Sequence, residues 1–285
     1  MDPLLESVLE AHGGRQRWAE ISTLTARLAV GGPFWGIRGF PDAFLDETLT
    51  IAIATRNAAL TPWTAPDHTL VADLTHDRVT LRGADGSLVE KRDTPRPSYA
   101  GYDLYSPWDR LQVGYFLGYA MWNYLTTPHL LTHPGMVSRE IQPWDENGQH
   151  WRRLQVTFPA TVPTHTAEQV FYFDADGLLR RLDYTVDVNA NATVAHYTDG
   201  HRTFEGLVFP TRRRVYPRRP DRTRIGPFPA RTAAPSPSTS TTSPSSESAS
   251  DGRLPAGAIA TIGPAGEHKV PAEVRPRDGK RTWTT

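Results

Sequence analysis

The chain has 285 residues, 31 basic and 31 acidic side chains, 38% hydrophobic residues and no cysteine. Zero net charge argues against electrostatically driven nucleic-acid binding, which needs a basic footprint. The lack of cysteine excludes disulfides, thiolate zinc sites, iron–sulfur clusters and cysteine catalysis.

The hydrophobic deficit is local. Residues 230–252 are almost purely Ser, Thr, Pro and Ala, a composition that cannot bury enough apolar surface to offset ordering entropy, so disorder is expected there. The reading divides the chain into a folded domain at 1–216 and a disordered tail at 217–285. The tail is basic, with 11 basic against 6 acidic side chains. The opening Met-Asp-Pro-Leu-Leu-Glu carries acid and amphipathicity where a secretory signal has a basic segment and an apolar run, so a cytoplasmic location is expected. No apolar run approaches the roughly 20 residues that span a bilayer.

In chain order, Asp2 and Pro3 announce a first helix, which Gly13 or Gly14 ends. A second short helix over 15–21 carries Trp18. The period then changes to two: Leu24, Ala26, Leu28 and Val30 alternate with smaller or polar residues, predicting a half-buried strand. The glycine-rich run 31–39 reads as a wide turn. A strand follows at 48–55. Three hairpins come next, at 78–82 with 87–92, at 136–142 with 151–158, and at 168–173 with 178–186, each closed by a Gly-containing turn. Segments 194–198 and 207–216 complete the series of strands. Strands do not alternate with helices, which disfavours a parallel sheet. One helix interrupts the series, over 106–125, with Ser106-Pro107-Trp108-Asp109 as its capping box. Aromatic residues surround this helix, so more than one of its faces must be covered.

The opener Leu9-Glu-Ala-His-Gly-Gly-Arg-Gln-Arg-Trp18-Ala-Glu-Ile21, the hairpin Phe171-Tyr-Phe-Asp-Ala-Asp-Gly-Leu-Leu-Arg-Arg-Leu-Asp183 and the segment Phe204-Glu-Gly-Leu-Val-Phe-Pro210 resemble the LolA-like lipoprotein-carrier superfamily. The resemblance implies a mainly β (α+β) fold. Its centre is a curved, open antiparallel sheet, or half-barrel, with the N-terminal helix and the internal aromatic helix on its concave face. It also implies an apolar cavity for lipid or acyl chains, and no catalytic residues. Those carriers are secreted or lipid-anchored; this chain shows no signal and no cysteine to anchor.

No metal motif, phosphate loop or Gly-x-Ser-x-Gly is present, and no cofactor is expected. In the third hairpin, a turn at Asp174-Ala-Asp-Gly177 pairs Tyr172 with Arg180 and Glu168 with Tyr184. That register places Glu168, Tyr172 and Tyr184 on the more apolar, concave face. A carboxylate there would have a raised pKa suited to acid–base work. Glu168 is accordingly the first catalytic candidate, with Tyr184 as its donor and His196 as the second. The bland reading of Glu168, an ion pair at the rim, carries more weight. Tyr115, Phe116, Tyr119 and Trp122 on the aromatic helix, with Tyr172, are the candidate ligand contacts. Arg212, Arg213 and Arg214 read as a solvated edge. The function expected is an intracellular holder of an apolar small molecule or acyl chain; the alternative is a cofactor-independent cyclase or isomerase using the same cavity.

Overall fold

The protein is described here by a computed structural model, over residues 2–41, 44, 46–225, 258–262 and 274–276. Helix α1 (Pro3–Ala11) starts where the sequence places it: Asp2 accepts from the Leu4 amide at 2.9 Å and Pro3 occupies the first turn. Its stripe Leu4, Leu5, Val8 and Leu9 is buried. Gly13 turns the chain into α2 (Gly14–Ala19) at φ 102°, and a Cβ there would lie 2.2 Å from the Gly206 carbonyl oxygen, so only glycine fits.

Twelve strands form two antiparallel meanders of six. The first comprises β1 (Ile21–Gly31), β2 (Glu47–Ala52), β3 (Asn57–Thr61), β4 (Thr69–Asp73), β5 (Arg78–Arg82) and β6 (Leu88–Asp93). The second comprises β7 (Val137–Glu146), β8 (Gln149–Thr157), β9 (Glu168–Phe173), β10 (Leu179–Val186), β11 (Ala192–Phe204) and β12 (Leu207–Pro217). Two further strands, β13 (Ala258–Ile262) and β14 (Val274–Pro276), pair with β1, and β13 also pairs with β12. The result is an open, curved antiparallel sheet with helices on its concave face. Most of the tail expected to be disordered, 217–285, including 230–252, lies outside the described residues, while 217–225 and strands β13 and β14 of that tail lie within them. Strands β3 and β4 are absent from the sequence reading; they are five residues each and partly built from Ala, which carries a weak strand signal.

Two local expectations are corrected. The run 31–39 is not a wide turn: it contains the short helix α3 (Pro33–Ile37), with Pro33 at its first position. The aromatic helix α4 (Arg110–Thr126) is capped by Asp109 rather than Ser106. Asp109 accepts from the amides of Leu111 and Gln112 at 2.9 and 2.8 Å, and the Gln112 side chain accepts from the Asp109 amide at 2.8 Å. Ser106 instead donates to Asp103 in the preceding loop. Helix α4 lies on β3, β4 and β5. Its glycines allow the approach: a Cβ on Gly114 would meet Leu70 at 2.0 Å, and one on Gly118 would meet the Ala72 Cβ at 2.4 Å. One continuous core joins α1, α4 and the concave faces of both meanders.

The register of the third hairpin differs from the expected one by a single residue. Asp174 does pair Leu178 across the turn, but a bulge at Arg180 follows, so Tyr172 faces Arg181 and Phe171 faces Leu182. A one-residue slip exchanges the two faces of a strand. Phe171 and Phe173 therefore join the concave core, while Tyr172 and Val170 pack with Trp151 in a separate cluster on the outer face. That outer cluster is held by Arg181, which donates to Asp183 and Glu146 at 2.7 Å each, and by Tyr172, which donates to Asp183 at 2.7 Å.

Candidate functional site: a concave cavity

Alternation along the strands decides what the concave face presents. On β12, Leu207, Phe209, Thr211, Arg213 and Val215 share one side; on β11, Val194, His196 and Thr198 do. His196 is opposite Val215, and Arg213 is opposite Thr198, which makes Arg213 a diagonal neighbour of His196. Tyr184 on β10 is opposite Val194. Helix α4 covers the first meander and presents Phe116, Ala120, Met121 and Tyr124 toward this second one, and α3 adds Phe34 and Trp35. Between them lies a partly open, mostly apolar cavity of about 100 Å³. Pockets for drug-sized ligands run to roughly 300–1,000 Å³, so this one fits a short apolar group or one end of a longer chain.

A line of hydrogen bonds runs from the core to this cavity. Tyr119 Oη lies 3.0 Å from His165 Nδ1, and His165 Nε2 lies 2.7 Å from Tyr124 Oη. Tyr124 Oη meets Tyr184 Oη at 2.7 Å, and Tyr184 Oη meets His196 Nδ1 at 3.1 Å. His165 also stacks on Tyr184, with ring centroids 4.3 Å apart. Burial, aided by Arg96, pushes the His165 pKa down to about 3. Burial, then Arg213 and His165, holds His196 well below the usual histidine range. Both imidazoles are neutral at pH 7. When Tyr184 donates to Nδ1, His196 carries its proton on Nε2, and that atom has no partner among the described residues.

Arg213 is the ionised side chain of the cavity lining. It is 2% exposed. Its Nη2 donates to the Tyr124 carbonyl in the last turn of α4 at 3.0 Å, and its guanidinium lies 5.0 Å from the centroid of the Tyr124 ring. Burial lowers its pKa to about 10, so it keeps its charge at neutral pH. Its Nε and Nη1 have no hydrogen-bond partner among the described residues.

The structure brings together Tyr184, His196 and Phe116 of the sequence-predicted set. Tyr115, Tyr119 and Trp122 are buried but do not line the cavity. Tyr119 starts the hydrogen-bonded line, Tyr115 packs against Tyr99 and Tyr119, and Trp122 lies in the core. Tyr172 and Glu168 are placed differently from the expectation, both through the slipped register. Tyr172 is in the outer cluster, and Glu168 is exposed at the start of β9, opposite Thr157. The apolar surround that motivated Glu168 as an acid–base group does not exist there. Three residues that sequence reasoning left out of the site are Tyr124, His165 and Arg213. For Arg213 a signal was present: the two-residue alternation from Leu207 and Phe209 continues through it to Val215.

No family model matches the sequence, and no curated protein matches it. Among solved structures, the chain is similar to a LolA superfamily protein from Nitrosomonas europaea, at 7% identity and a TM-score of 0.43, over 77% of this chain and 86% of that one. It is similar to a putative outer membrane lipoprotein-sorting protein domain from Vibrio parahaemolyticus, at 9% identity and a TM-score of 0.44, over 97% and 93%. It is also similar to a DUF1329 family protein from Desulfovibrio piger, at 11% identity and a TM-score of 0.39, over 99% and 96%. No helix among the described residues is long and apolar enough to cross a membrane.

Proposed function

We propose that this chain binds and holds an apolar small molecule or one end of an acyl chain in the concave cavity. The observation that carries this reading is the cavity itself, a mostly apolar space between α3, α4 and strands β10 to β12. Concave apolar sites with a few convergent polar groups are the usual form of small-molecule sites. The test is displacement of an environment-sensitive apolar fluorophore by octanol, with the full chain. Ala120 contributes only a methyl group to the cavity lining, so Ala120→Phe fills the cavity from the α4 side. Octanol should displace the probe from the natural chain, and Ala120→Phe should weaken both by tenfold or more. Val186→Phe, on the opposite wall, repeats the test should Ala120→Phe fold poorly. Full binding by a folded, filled variant would remove this reading.

A second reading, a cofactor-independent cyclase or isomerase in the same cavity, draws on one observation: a neutral imidazole, His196, ends a line of hydrogen bonds at the cavity wall. A neutral imidazole can take or give a proton. Glu168 has no part in it. Loss of turnover in His196→Gln with binding retained would favour this reading over simple holding.

A further inference from the structure

Among the described residues, Arg38, Arg181 and Arg213 are the most deeply buried arginines, and they differ in how their donors are used. Arg38 is 1% exposed and donates to the carbonyls of Asp103, Leu104 and Ser106 and to Asn189 Oδ1. Arg181 is 0% exposed and donates to Asp183, Glu146, Tyr197 and the Arg222 carbonyl. These two fasten loops and strands, and their forks are largely filled. Arg213 makes one hydrogen bond among the described residues, to the Tyr124 carbonyl.

A guanidinium has five N–H donors, and an uncompensated buried charge is strongly unfavourable. The single bond to Tyr124 explains why a cation is tolerated at this place, since the end of a helix attracts positive charge. It does not explain why Nε and Nη1 are left open beside a cavity. Among the described residues, no carboxylate lines that cavity. Tyr124 and Tyr184 could offset the Arg213 charge only as phenolates, and burial raises their pKa values, so at neutral pH both are uncharged phenols. The cavity is thus an apolar space with one fixed positive charge, unpartnered guanidinium donors at Nε and Nη1 and, diagonally beside them, the unpartnered Nε2 of His196. Nη2 keeps one N–H beside its bond to Tyr124, and that N–H lies parallel to the N–H of either Nε or Nη1, a pair that matches a carboxylate accepting two parallel bonds.

We propose that Arg213 receives the carboxylate head of an amphipathic apolar ligand, with the His196 Nε2–H as a further donor and the apolar walls around the first part of its chain. This rests on the reading of the cavity as an apolar ligand site, and it adds the charge and geometry of the ligand's head. When the line from Tyr119 to His196 donates toward His196, the proton sits on Nε2, as a carboxylate requires. Arg213 is then a specificity residue, and replacing the head group changes affinity more than lengthening the chain.

The test compares octanoate, octanol, octylamine and octyl phosphate as displacers of the apolar fluorophore from the full chain at pH 7.5. Octanoate should bind at least tenfold more tightly than octanol, and octylamine more weakly than either. Arg213→Met should bring octanoate to the level of octanol, with octanoate losing tenfold or more and octanol much less. Arg213→Lys keeps a cation at the end of α4 without the fork, and should recover only part of the preference. Equal binding of octanoate and octanol to the natural chain would overturn the head-group proposal while the cavity reading stood. Failure of all four to displace the probe would overturn both. Octyl phosphate binding more tightly than octanoate would overturn the carboxylate assignment. An equal loss of octanoate and octanol in a folded Arg213→Met chain would reduce Arg213 to a support for α4. Should that variant not fold, the head-group series on the natural chain and on Arg213→Lys decides.

Discussion

The position of α4 on the sheet depends on the absence of one methyl group, and a double-substitution cycle measures how much. A Cβ on Gly118 would lie 2.4 Å from the Ala72 Cβ. Carbon atoms in contact sit at about 3.5–4.0 Å, so Gly118→Ala must push the helix from β4 by about 1 Å or distort the strand. The obstacle is a methyl fixed to the backbone, so no rotamer change relieves it. Over-packing of this kind costs roughly 1–3 kcal/mol. The better helix propensity of alanine returns about 1 kcal/mol. Gly118→Ala should therefore destabilise by up to roughly 2 kcal/mol. Ala72→Gly alone loses a buried methyl, worth about 0.8 kcal/mol, and a strand residue with a restricted backbone, worth about 0.5–1 kcal/mol. Additivity would put the pair at roughly 1–4 kcal/mol. In the pair, however, the methyl added on the helix takes the space vacated on the strand, so the double variant should lie within about 1 kcal/mol of the natural chain. Urea unfolding of the four proteins measures this coupling. Because α4 also carries Phe116, Ala120 and Met121 into the cavity wall, probe binding should change in Gly118→Ala and return in the pair. A stabilised Gly118→Ala, or strictly additive costs, would refute the close packing of α4 on β4.

Trp122 is 3% exposed and lies in the core away from the cavity, so Trp122→Ala should cost roughly 3–5 kcal/mol in urea unfolding while octanol binding persists wherever the variant is still folded. Burial pushes the pKa of His129 and His201 down to about 4 and that of His165 to about 3. The unfolded chain binds these protons first, so their contribution to stability is complete above the ordinary histidine value and is lost as pH falls toward 4; the urea midpoint should drop across that window, and less steeply in His129→Phe. Burial raises the Glu47 pKa to about 7, which acts in the opposite sense: its contribution is present below the ordinary carboxylate range and is lost as pH rises through 7. Glu47→Gln should raise the urea midpoint at pH 8 and leave it nearly unchanged at pH 5.

Local signals in the sequence were sufficient for the caps of α1, for the two-residue period of β1, for the hairpin turns and for the antiparallel class of the sheet, because each depends on residues within about one turn of each other. The turn at Asp174 to Gly177 is one such case: Asp174 pairs Leu178 as its turn chemistry requires. The face of every residue beyond that turn was decided by a bulge at Arg180, whose Nε donates to Asp174 at 2.5 Å. A bulge of one residue leaves no mark on composition or period, yet it moved Tyr172 and Glu168 outward and Phe171 inward. Tyr184 and His196 were legible because they follow an apolar alternation on their own strands. Their connection through Tyr124 and His165 was not, since those groups come from a helix and a loop far away in the chain. Arg213 shows the limit most directly. Its strand alternation points it inward, but a charge is expected in water unless something offsets its desolvation. Only the tertiary structure supplies the offset, by bringing the C-terminal turn of α4 to within 3.0 Å of its guanidinium.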